Sequence, residues 1–209
     1  MRLQNAAGKA KVEAVFGINE EFKALAVDFN GEFWRKYREL RPELDAGIWD
    51  YQKYLMELRT TLSNADFPVG EVDVEEFLQA DWESWSHADL EMVSWIDELQ
   101  DLVAANSELE LALLSNIPTE LLLRLRKLHP WIRKFPHSYF SCELLLAKPD
   151  TAIYQAVVAD LGVDYSEVLF FDDTYENIVS ARELGMQTHH FTGISGARDA
   201  VNNFLVHPQ

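Results

Sequence analysis

Two adjacent aspartates, Asp172 and Asp173, follow directly on the apolar residues 168–171. At the end of a buried strand, two neighbouring carboxylates repel each other unless a cation neutralises them. A hard divalent ion that prefers oxygen ligands, such as Mg²⁺, suits such a pair. The alternative is that one aspartate caps the next helix while the other faces solvent. The pair by itself leaves metal binding and helix capping both open.

Two further stretches place polar side chains directly after apolar runs. Ser115 and Asn116 end the run LALLSN, just before Pro118 and a predicted helix. A hydroxyl and backbone N–H groups at a helix start can hold a phosphate or carboxylate, or they can simply cap the helix. Lys148, in LLLAKPD, could place its ammonium over an anion, or it could be a solvated loop lysine.

The second half of the chain alternates apolar strands with helices. The predicted strands are residues 109–114, 139–142, 168–171 and 188–191, and the predicted helices are residues 120–128, 151–161, 175–184 and 197–205. Apolar strands that alternate with helices favour a parallel sheet covered on both faces. Ligands of such sheets bind at the carboxyl ends of the strands. Each candidate residue lies at such an end.

The first half, residues 9 to 105, has the three- and four-residue apolar spacing of helices. Turn signals at residues 41–42, 45–47 and 64–70 divide it. A helix is predicted to begin near Val74, and a longer one to cover residues 90–103. The tryptophans are expected to pack this helical half against the second half. They are Trp82, Trp85 and Trp95.

Composition limits the partners that this chain can have. Its 209 residues carry a formal net charge of −17, and such a surface repels nucleic acids and anionic membranes. A small phosphorylated metabolite stays compatible if a cation and a nearby lysine reverse the local field. Cys142 is the only cysteine, and no stretch resembles a signal peptide or a membrane span. A cytoplasmic protein is therefore expected, with its oligomeric state open.

The series LLSN, AKPD and FFDDTYEN resembles motifs II, III and IV of the haloacid dehalogenase-like (HAD) hydrolase superfamily. The resemblance covers residues 90–209, and the helical half looks like the small helical cap of the phosphatase branch. It implies an α/β fold, namely a HAD-like Rossmannoid parallel sheet with helices on both faces, plus a small all-helical cap. The implied core is residues 1–19 and 90–209, and the implied cap is residues 20–89.

By this resemblance, a first group of residues would bind the phosphoryl group. Ser115 would hydrogen-bond that group, and Asn116 would line the same loop. Lys148 would offset negative charge on the phosphoryl oxygens and on the nucleophile. Charge neutralisation and positioning of this kind do most of the catalysis in phosphoryl transfer.

A second group of residues would bind the metal ion that the resemblance implies. Asp173 would bind Mg²⁺ directly, with Asp172 beside it, directly or through water. Asn177 would fix the loop or reach toward Lys148. With these roles, the two adjacent aspartates would hold magnesium against a phosphate.

The resemblance implies a Mg²⁺-dependent phosphatase that acts on a small phosphate monoester through an aspartyl-phosphate. The alternative is a catalytically inactive HAD-like protein that binds an anion or a partner protein. A dehalogenase would use a similar core, but it needs no metal, and the adjacent aspartates therefore disfavour it. A receiver-like regulatory module is shorter and has no cap.

The family's nucleophile motif, Asp-x-Asp after an N-terminal strand, is not found. Asp28 follows an apolar run and is one candidate nucleophile, although Asn30 then replaces the second, acid–base aspartate. Residues 12–19 could instead be a decayed copy of the motif. Residues 11–25 could also be the helix that follows the motif, so that the strand itself is missing. A missing central strand would leave two unpaired sheet edges unless residues 1–16 fill the gap.

Overall fold

The computed structural model describes residues 32–65, 73–85 and 87–206. The candidate nucleophile Asp28 and the neighbouring Asn30 lie outside the described residues. Within these ranges the chain forms nine α-helices and four β-strands. None of the helices in the described ranges combines the length and the hydropathy that a membrane crossing requires.

Four helices make up the first half of the described chain. They are α1 (Glu32–Asp45), α2 (Tyr51–Asn64), α3 (Val74–Ser84) and α4 (Leu90–Ala105). An aspartate side chain accepts backbone N–H groups at the start of each of the last three, namely Asp50, Asp73 and Asp89, which satisfies groups that a helix start leaves unpaired. Helices α1 to α3 bury a common aromatic and aliphatic core that includes Phe33, Leu58 and Phe77.

The predicted turn at residues 41–42 is wrong, because α1 continues through Pro42 to Asp45. Proline removes one backbone hydrogen bond of a helix, but burial of the apolar face of α1 against α2 holds the helix together. The predicted turn at residues 45–47 is confirmed. Gly47 there has a φ of +70°, a conformation that glycine adopts without strain.

The second half alternates strands and helices. It contains β1 (Ala112–Ser115), α5 (Thr119–Leu128), β2 (His137–Phe140), α6 (Ser141–Leu144), α7 (Thr151–Leu161), β3 (Leu169–Asp172), α8 (Tyr175–Glu183), β4 (Gln187–His190) and α9 (Ile194–Val206). The predicted order of elements is confirmed, with ends that shift by a few residues. The largest difference from the prediction is that Ser141 and Cys142 begin α6, whereas they were expected to lie in the strand.

The four strands form two parallel pairs, β1 with β2 and β3 with β4. Ser115 lies beside Phe140 in the first pair, and Asp172 lies beside His190 in the second. The carboxyl ends of each pair are therefore aligned. Within the described residues, no strand joins β1 to β3, so the inner edges of both pairs lack a partner there.

A cavity of about 500 Å³ extends between the two strand pairs. Residues of both inner strands line it, and α4 and α7 contribute the side chains of Trp95, Leu99, Tyr154 and Val157. Asp172 and Asp173 lie on its wall as well. Residues 1–31 lie outside the described residues, so the missing central strand stays a prediction.

Two of the tryptophans connect the halves of the molecule, as predicted. Trp82 contacts the core of α1 to α3 and also the apolar cluster around β1 and β2, and Trp85 contacts the second of these. Trp95, on α4, contacts the second half as well, since its ring lies 5.9 Å from the ring of Phe171 and 6.2 Å from that of Phe191.

Candidate active site

Lys148 and Asp172 form a buried ion pair at the carboxyl end of β3. The Lys148 Nζ lies 2.5 Å from Oδ2 of Asp172, and the two side chains are 5 % and 3 % exposed. The same Nζ donates to the carbonyl oxygen of Leu114, in β1, at 3.2 Å. Lys148 therefore bridges the ends of the two inner strands, at the edge of the sheet where parallel α/β folds bind their ligands.

The other oxygen of Asp172 is also engaged. Oδ1 accepts the backbone N–H of Thr174 at 2.8 Å and the side-chain amide of Asn177 at 3.0 Å. Burial alone would raise the pKa of Asp172, but Lys148 and these hydrogen bonds together hold that pKa below its usual value. Asp172 is therefore ionised at neutral pH, and protein groups occupy both of its oxygens.

Asn116 fixes the backbone of Lys148. Its side-chain amide donates to the Lys148 carbonyl at 2.8 Å, and its side-chain oxygen accepts the Lys148 N–H at 2.9 Å. These two bonds anchor the lysine's loop to the end of β1. Asn116 thus positions Lys148, and its predicted role in the phosphate-binding loop stays a prediction.

Ser115 ends β1, and the capping alternative for this stretch is wrong. The residue that caps α5 is Pro118, and no side chain accepts a hydrogen bond there. The N–H of Ile117, the residue before Pro118, donates to Oγ of Ser141 at 2.8 Å. Ser141 is fully buried, and the sequence carries no sign of this role because the contact joins distant residues.

Asn177 and Asp173 complete the group at the end of β3. Asn177 is 7 % exposed and reaches Asp172 rather than Lys148. The ring Nε2 of His190 lies 3.1 Å from the backbone oxygen of Asp173. The structure thus brings together the predicted site residues Ser115, Asn116, Lys148, Asp172, Asp173 and Asn177 around the ends of β1 and β3.

The donors at this edge fit part of a magnesium site. Both oxygens of Asp172 are in hydrogen bonds to protein groups, and Asp173 is the neighbouring carboxylate. Within the described ranges, no group of three His, Cys, Asp or Glu side chains could hold a metal ion. Mg²⁺ commonly takes only one or two carboxylates and completes its shell with water and phosphate oxygens. Ligation by Asp172 and Asp173 stays a prediction.

Comparison with known sequences establishes the family. The family model described as haloacid dehalogenase-like hydrolase matches residues 6–185, which is most of the chain. The chain belongs to the haloacid dehalogenase-like hydrolases. This match confirms the family predicted from LLSN, AKPD and FFDDTYEN.

Two curated relatives are named as a phosphatase and as a flavin mononucleotide hydrolase. Sesquiterpene phosphatase astK of Aspergillus oryzae is 30 % identical over 80 residues, which cover 38 % of this chain and 41 % of that protein. Flavin mononucleotide hydrolase 1 of Arabidopsis thaliana is 28 % identical over 149 residues, which cover 64 % of this chain and 58 % of that protein. The chain therefore spans about half the length of the curated relatives that it matches.

Solved structures share the fold. A HAD-like family hydrolase from Porphyromonas gingivalis covers 98 % of this chain and 92 % of its own, with a TM-score of 0.60 and 22 % identity. A HAD family enzyme from Bacteroides thetaiotaomicron, in complex with magnesium and inorganic phosphate, covers 89 % of this chain and 86 % of its own, with a TM-score of 0.55 and 18 % identity. At these identities the likeness concerns the fold, and it confirms the predicted HAD-like α/β class.

Proposed function

We propose that this chain is a Mg²⁺-dependent phosphatase that hydrolyses a small phosphate monoester through an aspartyl-phosphate. The observation that carries the proposal is the position of the Lys148 ammonium, between the carboxyl ends of β1 and β3. The names of two curated relatives, a phosphatase and a flavin mononucleotide hydrolase, support the same class of reaction.

Lys148 has one donor to give to a phosphoryl oxygen. An ammonium carries three N–H donors, and within the described residues two of them go to Asp172 and Leu114. The third would donate to an anion that enters at the sheet edge. Because Asp172 holds the ammonium in place, the phosphoryl group would meet a positioned ammonium that needs no rearrangement.

The remaining described residues would orient the phosphoryl group and the cation. Ser115, at the end of β1, would donate its hydroxyl to a phosphoryl oxygen. Asp173 would bind Mg²⁺, and the ion would neutralise charge on the transferred group. Asp172 would keep Lys148 in position, and Asn116 would do the same for its backbone. In this proposal, Asp173 is the metal ligand and Asp172 is the residue that positions Lys148.

The nucleophile of the proposed reaction is a carboxylate outside the described residues, and Asp28 is the candidate within the given sequence. Four uncharged residues, 24–27, precede Asp28. The strands β1 and β3, which end at Ser115 and Asp172, are also four residues long. Attack by its carboxylate on phosphorus would release the alcohol, and water would then hydrolyse the acyl phosphate. Because Asn30 cannot supply a proton as an acid, water would protonate the leaving alcohol.

The test is release of inorganic phosphate by the full chain from p-nitrophenyl phosphate and from a set of small phosphate monoesters. We expect turnover with Mg²⁺ that chelation abolishes and that Lys148→Ala, Asp173→Ala and Asp28→Ala each remove. Asp199→Asn, which changes an exposed aspartate of α9, serves as the control and should retain activity.

Two results would change the assignment. If no ester turns over but phosphate still binds in a Lys148-dependent way, the chain is the inactive anion-binding protein and the enzymatic proposal fails. If Asp28→Ala alone keeps full activity, the phosphatase stands but its nucleophile is another residue.

A further inference from the structure

Two aromatic side chains lie in contact at the carboxyl end of the β3–β4 pair. The ring of Tyr175, at the start of α8, meets that of His190, the last residue of β4, with centroids 5.6 Å apart and planes at 73°. This is the edge-to-face arrangement that aromatic rings favour. Both residues are exposed, Tyr175 to 55 %. The two rings, called the Tyr175–His190 pair below, therefore present aromatic surface at the sheet edge.

The backbone fixes the Tyr175–His190 pair to the proposed phosphate site. His190 lies beside Asp172 in the β3–β4 register, and the N–H of the next residue, Phe191, donates to the carbonyl oxygen of Asp172 at 2.8 Å. The ring Nε2 of His190 lies 3.1 Å from the backbone oxygen of Asp173. Tyr175 follows Asp173 by two positions. Both rings therefore adjoin the loop that carries the proposed metal ligand.

The helical half of the molecule contacts the other side of the site. The N–H of Tyr51, in α2, donates to a side-chain oxygen of Glu120, in α5, at 3.2 Å. The hydroxyl of Ser141, in α6, donates to the carbonyl oxygen of Asp45, in α1. Helices α5 and α6 follow β1 and β2, so these contacts belong to the β1–β2 side. The Tyr175–His190 pair, on the β3–β4 side, stays open to solvent.

Packing within the chain explains the Tyr175 ring poorly. Burial of apolar area is the main gain from an aromatic side chain, and Tyr175 forgoes much of it. Tyr154, on α7, shows the contrast, because it is 1 % exposed and its hydroxyl donates to the carbonyl oxygen of Asn177. Single exposed apolar residues are common on protein surfaces. Contact with a second exposed ring, beside the proposed site, distinguishes Tyr175 from such a residue.

We propose that Tyr175 stacks against the leaving group of the substrate, so that the enzyme prefers phosphate esters of uncharged aromatic alcohols. A flat aromatic group covers the exposed tyrosine face, whereas a short alkyl chain covers less of it. His190 supports the tyrosine ring from the side. The next residue, Glu176, is exposed and acidic, which opposes a leaving group with a further negative charge. This inference rests on the proposed function, which places the phosphoryl group at Lys148.

The first test compares 1-naphthyl phosphate with butyl phosphate, using the full chain with Mg²⁺. The readout is the ratio of the two kcat/KM values, because the intrinsic reactivity of each ester cancels when a variant is compared with the wild type. We expect Tyr175→Ala to lower this ratio by about tenfold in disfavour of the naphthyl ester. Tyr175→Phe keeps the ring and should keep the ratio. Leu123→Ala, which shortens an exposed side chain of α5, is the matched control and should keep it too.

Two kinetic results would overturn the inference. An equal fall in kcat/KM for both esters in Tyr175→Ala would show that Tyr175 only supports the loop that carries Asp173. An equal loss of the ratio in Tyr175→Phe and Tyr175→Ala would show that the hydroxyl, and not the aromatic face, sets the preference.

A second measurement reads binding without turnover. Calorimetry with two nonhydrolysable compounds, naphthylmethylphosphonate and pentylphosphonate, should show a preference of the wild type for the aromatic compound. That preference should fall by about tenfold in Tyr175→Ala. The same preference in the wild type and in Tyr175→Ala would overturn the inference. Absence of turnover together with a Tyr175-dependent binding preference would instead contradict the proposed phosphatase reaction alone.

Discussion

The Nζ of Lys148 and Oδ2 of Asp172 lie 2.5 Å apart, with both side chains almost completely buried. The two residues are separated by 24 positions in the chain, and their contact draws the loop before α7 against the end of β3. Breaking such a pair leaves one charge buried without a counter-charge. The pair therefore couples the stability of this edge of the sheet to the group that is proposed to bind phosphate.

Replacing one member of this pair should lower the free energy of unfolding more than replacing both. Lys148→Met leaves the Asp172 carboxylate buried and should lower the free energy of unfolding by about 3 kcal/mol. The double variant Lys148→Met/Asp172→Asn removes both charges and should recover at least half of that loss. Urea unfolding of the wild type, the two single variants and the double variant gives the coupling energy. A sum of single effects that equals the double effect would show that the two groups do not interact.

The contribution of Asp172 to stability should depend on pH in one direction. Its pKa is lowered in the folded protein from the ordinary value of 3.8, so the folded state favours the ionised form. The stabilisation is therefore fully present above that ordinary value and is lost as the pH falls through the lower folded value. The difference in unfolding free energy between wild type and Asp172→Asn should stay flat from about pH 7 to about pH 5 and shrink below about pH 4. A decline that begins near neutral pH would mean that burial outweighs Lys148 and that the pKa is raised.

The variant Asn116→Ala tests whether Asn116 positions Lys148 without being required for folding. The change removes both hydrogen bonds to the backbone of Lys148, and each such bond contributes about 1 kcal/mol. The variant should stay folded but lose roughly tenfold or more in phosphatase kcat. Asn106→Ala, at the end of α4, provides an amide-removal control away from Lys148 and should keep its kcat. An unchanged kcat in Asn116→Ala would contradict the positioning role.

The contact between the two halves at Gly47 should be sensitive to one added methyl group. A Cβ there would lie 2.8 Å from the carbonyl oxygen of Cys142, and the residue has a φ of +70°. Gly162, with a φ of +68° and open space around it, is the matched control that carries the backbone strain alone. We expect Gly162→Ala to cost about 1 kcal/mol and Gly47→Ala to cost about 1–3 kcal/mol more. Equal melting temperatures of the two variants would show that the neighbouring backbone yields without cost.

The local parts of the fold follow from the sequence because their signals are local. The apolar residues that lead into Asp172 and the helix α8 after them are contiguous, and the prediction for this unit is confirmed. The helix through Pro42 was missed because burial of its other side chains outweighs the loss of one backbone hydrogen bond. A short strand also ended earlier than predicted, since Ser141 turns into α6.

The site was predictable as a set of residues but not as a set of contacts. The spacing of LLSN, AKPD and FFDDTYEN pointed to the residues that the ends of β1 and β3 bring together. Three features of the site depend on contacts between distant residues. They are the hydrogen bonds to both Asp172 oxygens, the hydrogen bond from Asn116 to the backbone of Lys148, and the hydrogen bond that Ser141 accepts from Ile117. No local pattern encodes such contacts. The buried hydrogen bond from Tyr37 to Asp81 was missed for the same reason, because the two residues lie 44 positions apart.

The most direct test of the central claim is phosphate release from p-nitrophenyl phosphate by the full chain, titrated with Mg²⁺, for the wild type and Asp173→Asn. The account predicts turnover that saturates with Mg²⁺ in the wild type and is lost in the variant, while both proteins melt at similar temperatures. Turnover that is indifferent to Mg²⁺, or that survives unchanged in Asp173→Asn, would contradict a magnesium-dependent phosphatase site at the ends of β1 and β3.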